Sequence, residues 1–222
     1  MECRVFSFCL VLFALLSFCS VANGQTQLHD AANPKAKIQP WTWQQNDRIA
    51  LVGDGLIERA QFHGQFETRL VRRFPKLDLN FRNFGWTGDT ARGDGRVLGY
   101  EKPAGKARLL QELNSYKPTV ILIGYGMTDS LVPQTMPEFA EDLRTLVDEL
   151  SKITPQIVML TPIQHESTAS PLPSSAKQKH NKVLAKITRT IIDMAGKRRL
   201  RVVDLFHGLD DDNNEKDVLT SN

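Results

Sequence analysis

From residue 47 onward, short apolar runs alternate with amphipathic stretches. Ile49-Ala50-Leu51-Val52 lies between Arg48 and Gly53-Asp54-Gly55. Uninterrupted runs of this length suit strands buried on both faces. The pattern predicts strands over 48–53, 77–85, 119–124, 157–163 and 200–206. Between them the apolar positions change to a helical period. Phe62, Phe66, Leu70 and Phe74 recur every four residues; Leu109, Leu110 and Leu113 mark a second helix. Phe139, Leu143, Leu146, Val147 and Leu150 form a stripe after Pro137, and Val183, Leu184, Ile187, Ile191 and Met194 another. Each stripe can cover one face of a sheet.

Strands interleaved with helices in this way predict an α/β fold of three layers, α/β/α, around a doubly wound, five-stranded parallel sheet. Right-handed crossovers favour the flavodoxin-like strand order 2-1-3-4-5. In such sheets ligands sit beyond the carboxyl ends of the strands. The segments that could carry chemistry are therefore 53–59, 83–92, 124–131 and 161–167.

The N-terminus follows other rules. Arg4 precedes an apolar run from Val5 to Phe18, which leads to Val21-Ala22-Asn23-Gly24. This reads as a secretory signal peptide over 1–24, cut before Gln25, and predicts a secreted or periplasmic protein. The run falls short of the roughly 20 residues that a membrane span needs. Cys3, Cys9 and Cys19 all lie within residues 1–24, so cleavage leaves no cysteine and excludes a thiolate nucleophile or a cysteine-bound zinc. Residues 25–46, with Pro34, Pro40, Trp41 and Trp43, read as an irregular lead-in whose tryptophans pack on the domain. A balance of 28 Lys+Arg against 25 Asp+Glu gives a net charge of +3, too weak to argue for a nucleic-acid partner. The acidic tail 210–215 reads as a solvated turn, because it lacks the glycine and closing glutamate of a calcium loop.

Three strand ends carry distinctive blocks: Gly53-Asp54-Gly55, Asn83-Phe84-Gly85-Trp86-Thr87-Gly88-Asp89-Thr90, and Gly124-Tyr125-Gly126-Met127-Thr128-Asp129. In this order they resemble the SGNH (GDSL-type) hydrolase family, collinearly from about Asp47 to the end of the chain. The resemblance implies an ester hydrolase needing no cofactor or metal. Its nucleophile would follow Gly-Asp in the first block. An oxyanion hole would come from that residue's N–H, the Gly88 N–H and a side chain at 128, because an ester carbonyl turns anionic during attack and needs donors already aimed at it.

The chain departs from that pattern in three places. Gly55 stands where the nucleophilic serine belongs and offers only its backbone N–H. Thr128 stands where the family has asparagine. The late Asp-x-x-His is expected beyond Asn222, where Leu219-Thr220-Ser221-Asn222 resembles the run leading into it. The domain over 47–222 is thus expected to be truncated, without the helix that usually closes the sheet.

Other groups lie near the same rim. His165 could activate a water, with Glu166 or Asp54 beside it, or simply bond a loop. Ser130 and Thr90 are hydroxyls in the neighbourhood of the missing serine but read first as helix caps, and Asp54 and Asp89 read as acceptors of backbone N–H groups rather than acid–base groups. Glu58 reads as a helix-start carboxylate, Arg59 as a surface base and His63 as partly buried. His180 and His207 show no partner pattern, and no histidine pair has metal spacing. Two readings of function follow: an exported hydrolase of carbohydrate or other acyl esters, or a non-catalytic binder of such a ligand in the same cleft. A phosphate site at the Gly53-Asp54-Gly55 turn is a third, opposed by the charge of Asp54.

Overall fold

The structure is a computed structural model that describes residues 42–96, 104–165 and 172–208. The expected signal peptide over 1–24, most of the expected lead-in, Glu166, the acidic stretch 210–215 and the segment before Asn222 lie outside the described residues.

Five strands form one parallel sheet: β1 (Arg48–Gly53), β2 (Asn80–Gly85), β3 (Val120–Gly124), β4 (Ile157–Leu160) and β5 (Arg201–Val203). Their order, β2-β1-β3-β4-β5, is the predicted one. The helices are α1 (Gly55–Ala60), α2 (Gln65–Arg73), α3 (Ala104–Tyr116), α4 (Met136–Ser151), α5 (Ser174–Arg198) and α6 (Leu205–Gly208).

Crossover handedness decides which face each helix covers. The connection from β1 to β2 runs one way along the sheet; those to β3, β4 and β5 run the other way. Accordingly α1 and α2 pack on one face, where Ile49, Leu51, Val120, Leu122 and Val158 meet Ile57, Phe66 and Leu70. Trp43 joins this cluster. The opposite face, with Ala50, Val52, Ile121, Ile123, Ile157 and Met159, is covered by α3, α4 and α5.

The apolar stripe of α4 is buried in full, and Thr135 and Glu138 cap its start reciprocally. The first helical region differs from expectation. Gly64 adopts a left-handed conformation (φ 54°) and separates α1 from α2, so the Phe62–Phe74 repeat is interrupted and Phe62 is left exposed. Strands β2, β4 and β5 are also shorter than their apolar runs.

At the carboxyl rim, Gly53 pairs with Gly85 on one side and with Gly124 on the other. This row of glycines lets α1 lie directly on the strand ends. A Cβ on Gly53 would stand 2.2 Å from the Gly124 carbonyl oxygen, and one on Gly85 would stand 2.3 Å from the Glu58 nitrogen. Asn83 fastens the contact: its amide donates to the Ile57 carbonyl at 2.6 Å and its oxygen accepts the Gly85 N–H at 2.7 Å.

Candidate active site

Asp54 ties the first strand end to the third. Its Oδ1 accepts the Leu56 N–H at 3.2 Å and caps α1; its Oδ2 accepts the N–H groups of Met127 and Thr128 at 3.0 and 3.1 Å. Burial raises its pKa, against the pull of these three donors. Gly55 opens α1, so its N–H has no acceptor within the helix. The second strand end folds back beside it. The Trp86 N–H extends the ladder to the Gly53 carbonyl, and the Thr87 N–H donates to Glu58 Oε2 at 2.6 Å. The bonds from Thr87 hold the Glu58 carboxyl below its ordinary pKa. Gly88 follows at φ 80°, a left-handed conformation that favours glycine. The Gly88 N–H has no acceptor among the described residues.

Asp89 is fully buried. Its Oδ1 accepts the Gly95 N–H at 3.1 Å, and its Oδ2 accepts Arg96 Nε at 2.6 Å and the Tyr125 hydroxyl at 2.8 Å. Arg96 also donates to the Phe84 carbonyl. Burial and the Asp89 charge push the Tyr125 hydroxyl pKa well up, so it stays a donor. Thr90 Oγ1 accepts the Asp94 N–H at 3.4 Å, at the start of the short 3-10 turn Asp94–Arg96. Asp54 and Asp89 are thus loop-holding acceptors and Thr90 a cap.

On the third strand end the Thr128 side chain makes no hydrogen bond among the described residues. Asp129 Oδ1 accepts the Ala91 N–H at 3.1 Å, joining the second loop to the third. Its other oxygen is buried with no partner among the described residues, and burial raises the carboxyl pKa to about 6.

The histidines are arranged differently from expectation. Ser130 Oγ lies 2.6 Å from His180 Nε2, and His180 Nδ1 lies 2.7 Å from His165 Nε2. Beyond its bond to the Met127 carbonyl, Ser130 therefore has a histidine partner, and His165 faces a ring. No sequence spacing signals the meeting, since Ser130 and His180 are 50 positions apart. His207 also has a partner, Asp204 Oδ2 at 2.7 Å from its Nδ1. Asp204-Leu205-Phe206-His207 has Asp-x-x-His spacing, but it follows β5, three strand positions from β1, or roughly 14 Å at usual strand separations. His63 is exposed rather than partly buried, and Arg59 is exposed as expected.

Comparison with known proteins agrees with this architecture. Residues 49–221 match the model of the GDSL-like Lipase/Acylhydrolase family. The chain belongs to that family. A catalytic mutant of Axe2, an acetylxylan esterase from Geobacillus stearothermophilus, superposes with a TM-score of 0.57 at 17% identity, over 74% of this chain and 78% of that one. The lipase/acylhydrolase from Enterococcus faecalis gives 0.55 at 19%, over 73% and 78%. BT4096, a gut microbial diltiazem-metabolizing enzyme, gives 0.54 at 20%, over 76% of this chain but only 39% of its own. At these identities the likeness is one of fold. Among curated proteins, none matches the chain. No helix among the described residues is long and apolar enough to cross a membrane.

Proposed function

We propose that this chain is an exported, SGNH-type protein that holds an acyl ester at the carboxyl ends of β1, β2 and β3, with the usual serine route closed. The observation that carries this reading is that the loops of Gly55 and Gly88 adjoin, with Thr87 Oγ1 3.3 Å from where a Cβ on Gly55 would stand. Each loop carries a backbone N–H, at the family's oxyanion positions, that meets no acceptor among the described residues. A carbonyl oxygen satisfies such donors. With hydrogen in place of a side chain, residue 55 forms no acyl-enzyme. The Thr128 hydroxyl offers a third donor from a shorter reach than asparagine.

The ligand class is a small-molecule or carbohydrate ester, for which the acetylxylan esterase Axe2 suggests an acetylated sugar. A binder that does no chemistry through residue 55 is the form favoured by the joint presence of Gly55 and Thr128, because loss of that nucleophile relaxes the demand for the third donor. A phosphate site is disfavoured by Asp54, which brings a carboxyl group to the same turn. Calorimetric titration with an acetylated xylo-oligosaccharide and its deacetylated form tests the reading. Binding that requires the acetyl groups supports it; equal binding of both, or of neither, contradicts it.

A further inference from the structure

Ser130, His180 and His165 form a continuous line of hydrogen bonds outside the Gly55 turn. The base and the residue that clamps its neighbour come from one helix. α5 carries His180, and the next residue, Asn181, grips the His165 backbone at two points: its Oδ1 accepts the N–H at 2.9 Å and its Nδ2 donates to the carbonyl at 3.1 Å. The His165 ring is therefore held against His180 from its own main chain, with the ring centroids 4.9 Å apart.

The Ser130 hydroxyl has one hydrogen and two acceptors within reach, the Met127 carbonyl at 2.5 Å and His180 Nε2 at 2.6 Å. If His180 is protonated on Nε2, that hydrogen goes to Met127. If it is protonated on Nδ1 and donates to His165 Nε2, His180 Nε2 presents a lone pair to Ser130. The second arrangement has the parts of an activated nucleophile: hydroxyl, base, and a group that fixes the tautomer of the base. We propose that Ser130 is a nucleophile, with His180 as its general base and His165 as the positioning residue behind it. This goes beyond the ester-binding reading, since it gives the chain a reactive hydroxyl other than the one missing at residue 55.

Both rings are held below the ordinary imidazole pKa. Burial is the first cause for each; the charge of Lys177 acts on His165, and His165 acts on His180. Both are therefore neutral at pH 7, as a base must be. With p-nitrophenyl acetate, Ser130 Oγ bonds to the carbonyl carbon, the bond to p-nitrophenolate breaks, and the hydroxyl proton passes to His180 Nε2 and then to solvent. Water then attacks the acetyl carbon, His180 Nε2 takes one of its protons and returns it to Ser130 Oγ as the carbon–Oγ bond breaks, and acetic acid leaves and ionises to acetate.

Diisopropyl fluorophosphate tests the assignment on the full chain. Oγ bonds to phosphorus, fluoride leaves, and His180 takes the proton. Peptide mass mapping is expected to place the adduct on Ser130, and Ser130→Ala to abolish it together with p-nitrophenyl acetate turnover. His180→Gln is expected to slow labelling by roughly 10²-fold or more, the usual contribution of a general base. His165→Ala slows it and moves its pH midpoint upward, and His165→Gln, which retains an acceptor for Nδ1–H, recovers part of the rate. Unmodified Ser130 in the wild-type chain, or an adduct formed equally fast in His180→Gln, overturns the proposal. Labelling at Ser130 needs no ligand at residues 55 and 88, so its outcome is independent of the titration with acetylated sugar.

Discussion

The Thr87 hydroxyl stands 3.3 Å from the point where a Cβ on Gly55 would lie, and no other neighbour crowds that point. Residue 55 is thus a glycine that the fold does not require. Its backbone is not left-handed, and a Cβ there asks only the Thr87 side chain to give by a few tenths of an ångström. Gly53 and Gly85, a few ångströms away, are glycines of necessity, because main-chain atoms of Gly124 and Glu58 occupy the places of their side chains.

That contrast is measurable. Gly55→Ser is expected to change stability by no more than about 0.5 kcal/mol. Gly85→Ala forces α1 off the sheet and is expected to cost roughly 1–3 kcal/mol or more. Urea unfolding of the two variants beside the wild type checks this, and a large loss in Gly55→Ser would mean that the turn is tighter than described.

The buried pair of Asp89 and Arg96 anchors the loop that carries Gly88. Asp89→Ala leaves the Arg96 guanidinium buried without its counter-charge, and is expected to cost roughly 3–5 kcal/mol. A loss below about 1 kcal/mol would show that Arg96 reaches water by swinging out.

Asp129 gives the fold a pH dependence of known sign. Its carboxyl titrates at about 6 instead of 3.8 because it is buried. The folded state therefore holds the proton more tightly than the unfolded chain. This contribution is fully present below about pH 4 and is lost as pH rises to about 6. Asp129→Asn removes it. At about 1.4 kcal/mol per pKa unit, the variant should gain on the wild type by about 2–3 kcal/mol between pH 4 and pH 7. Denaturant midpoints of the two proteins across that range give the difference; a constant gap contradicts the assignment.

The sheet was legible because each apolar run is a strand and each change of period a helix. Crossover handedness then fixed the order and sorted α1 and α2 from α3, α4 and α5. The misjudged region, Phe62 to Phe74, turned on the conformation of Gly64, which periodicity does not weigh. The loop aspartates were legible because Asp54 and Asp89 sit just past strand ends, where N–H groups need acceptors. Arg96 and His180 were not. Arg96 reaches Asp89 through the fold of a turn, and His180 meets Ser130 through the packing of α5. Neither contact leaves a spacing in the chain.

Amide chemical shifts of Gly55 and Gly88, followed by nitrogen–proton NMR during titration with a methylphosphonate monoester, test the central claim most directly. That anion imitates the tetrahedral intermediate of ester attack. Two donors that share one hole should move together, along a single saturation curve, with inorganic phosphate doing less. If one or both resonances stay in place while the ligand binds, these two amides do not form a common site.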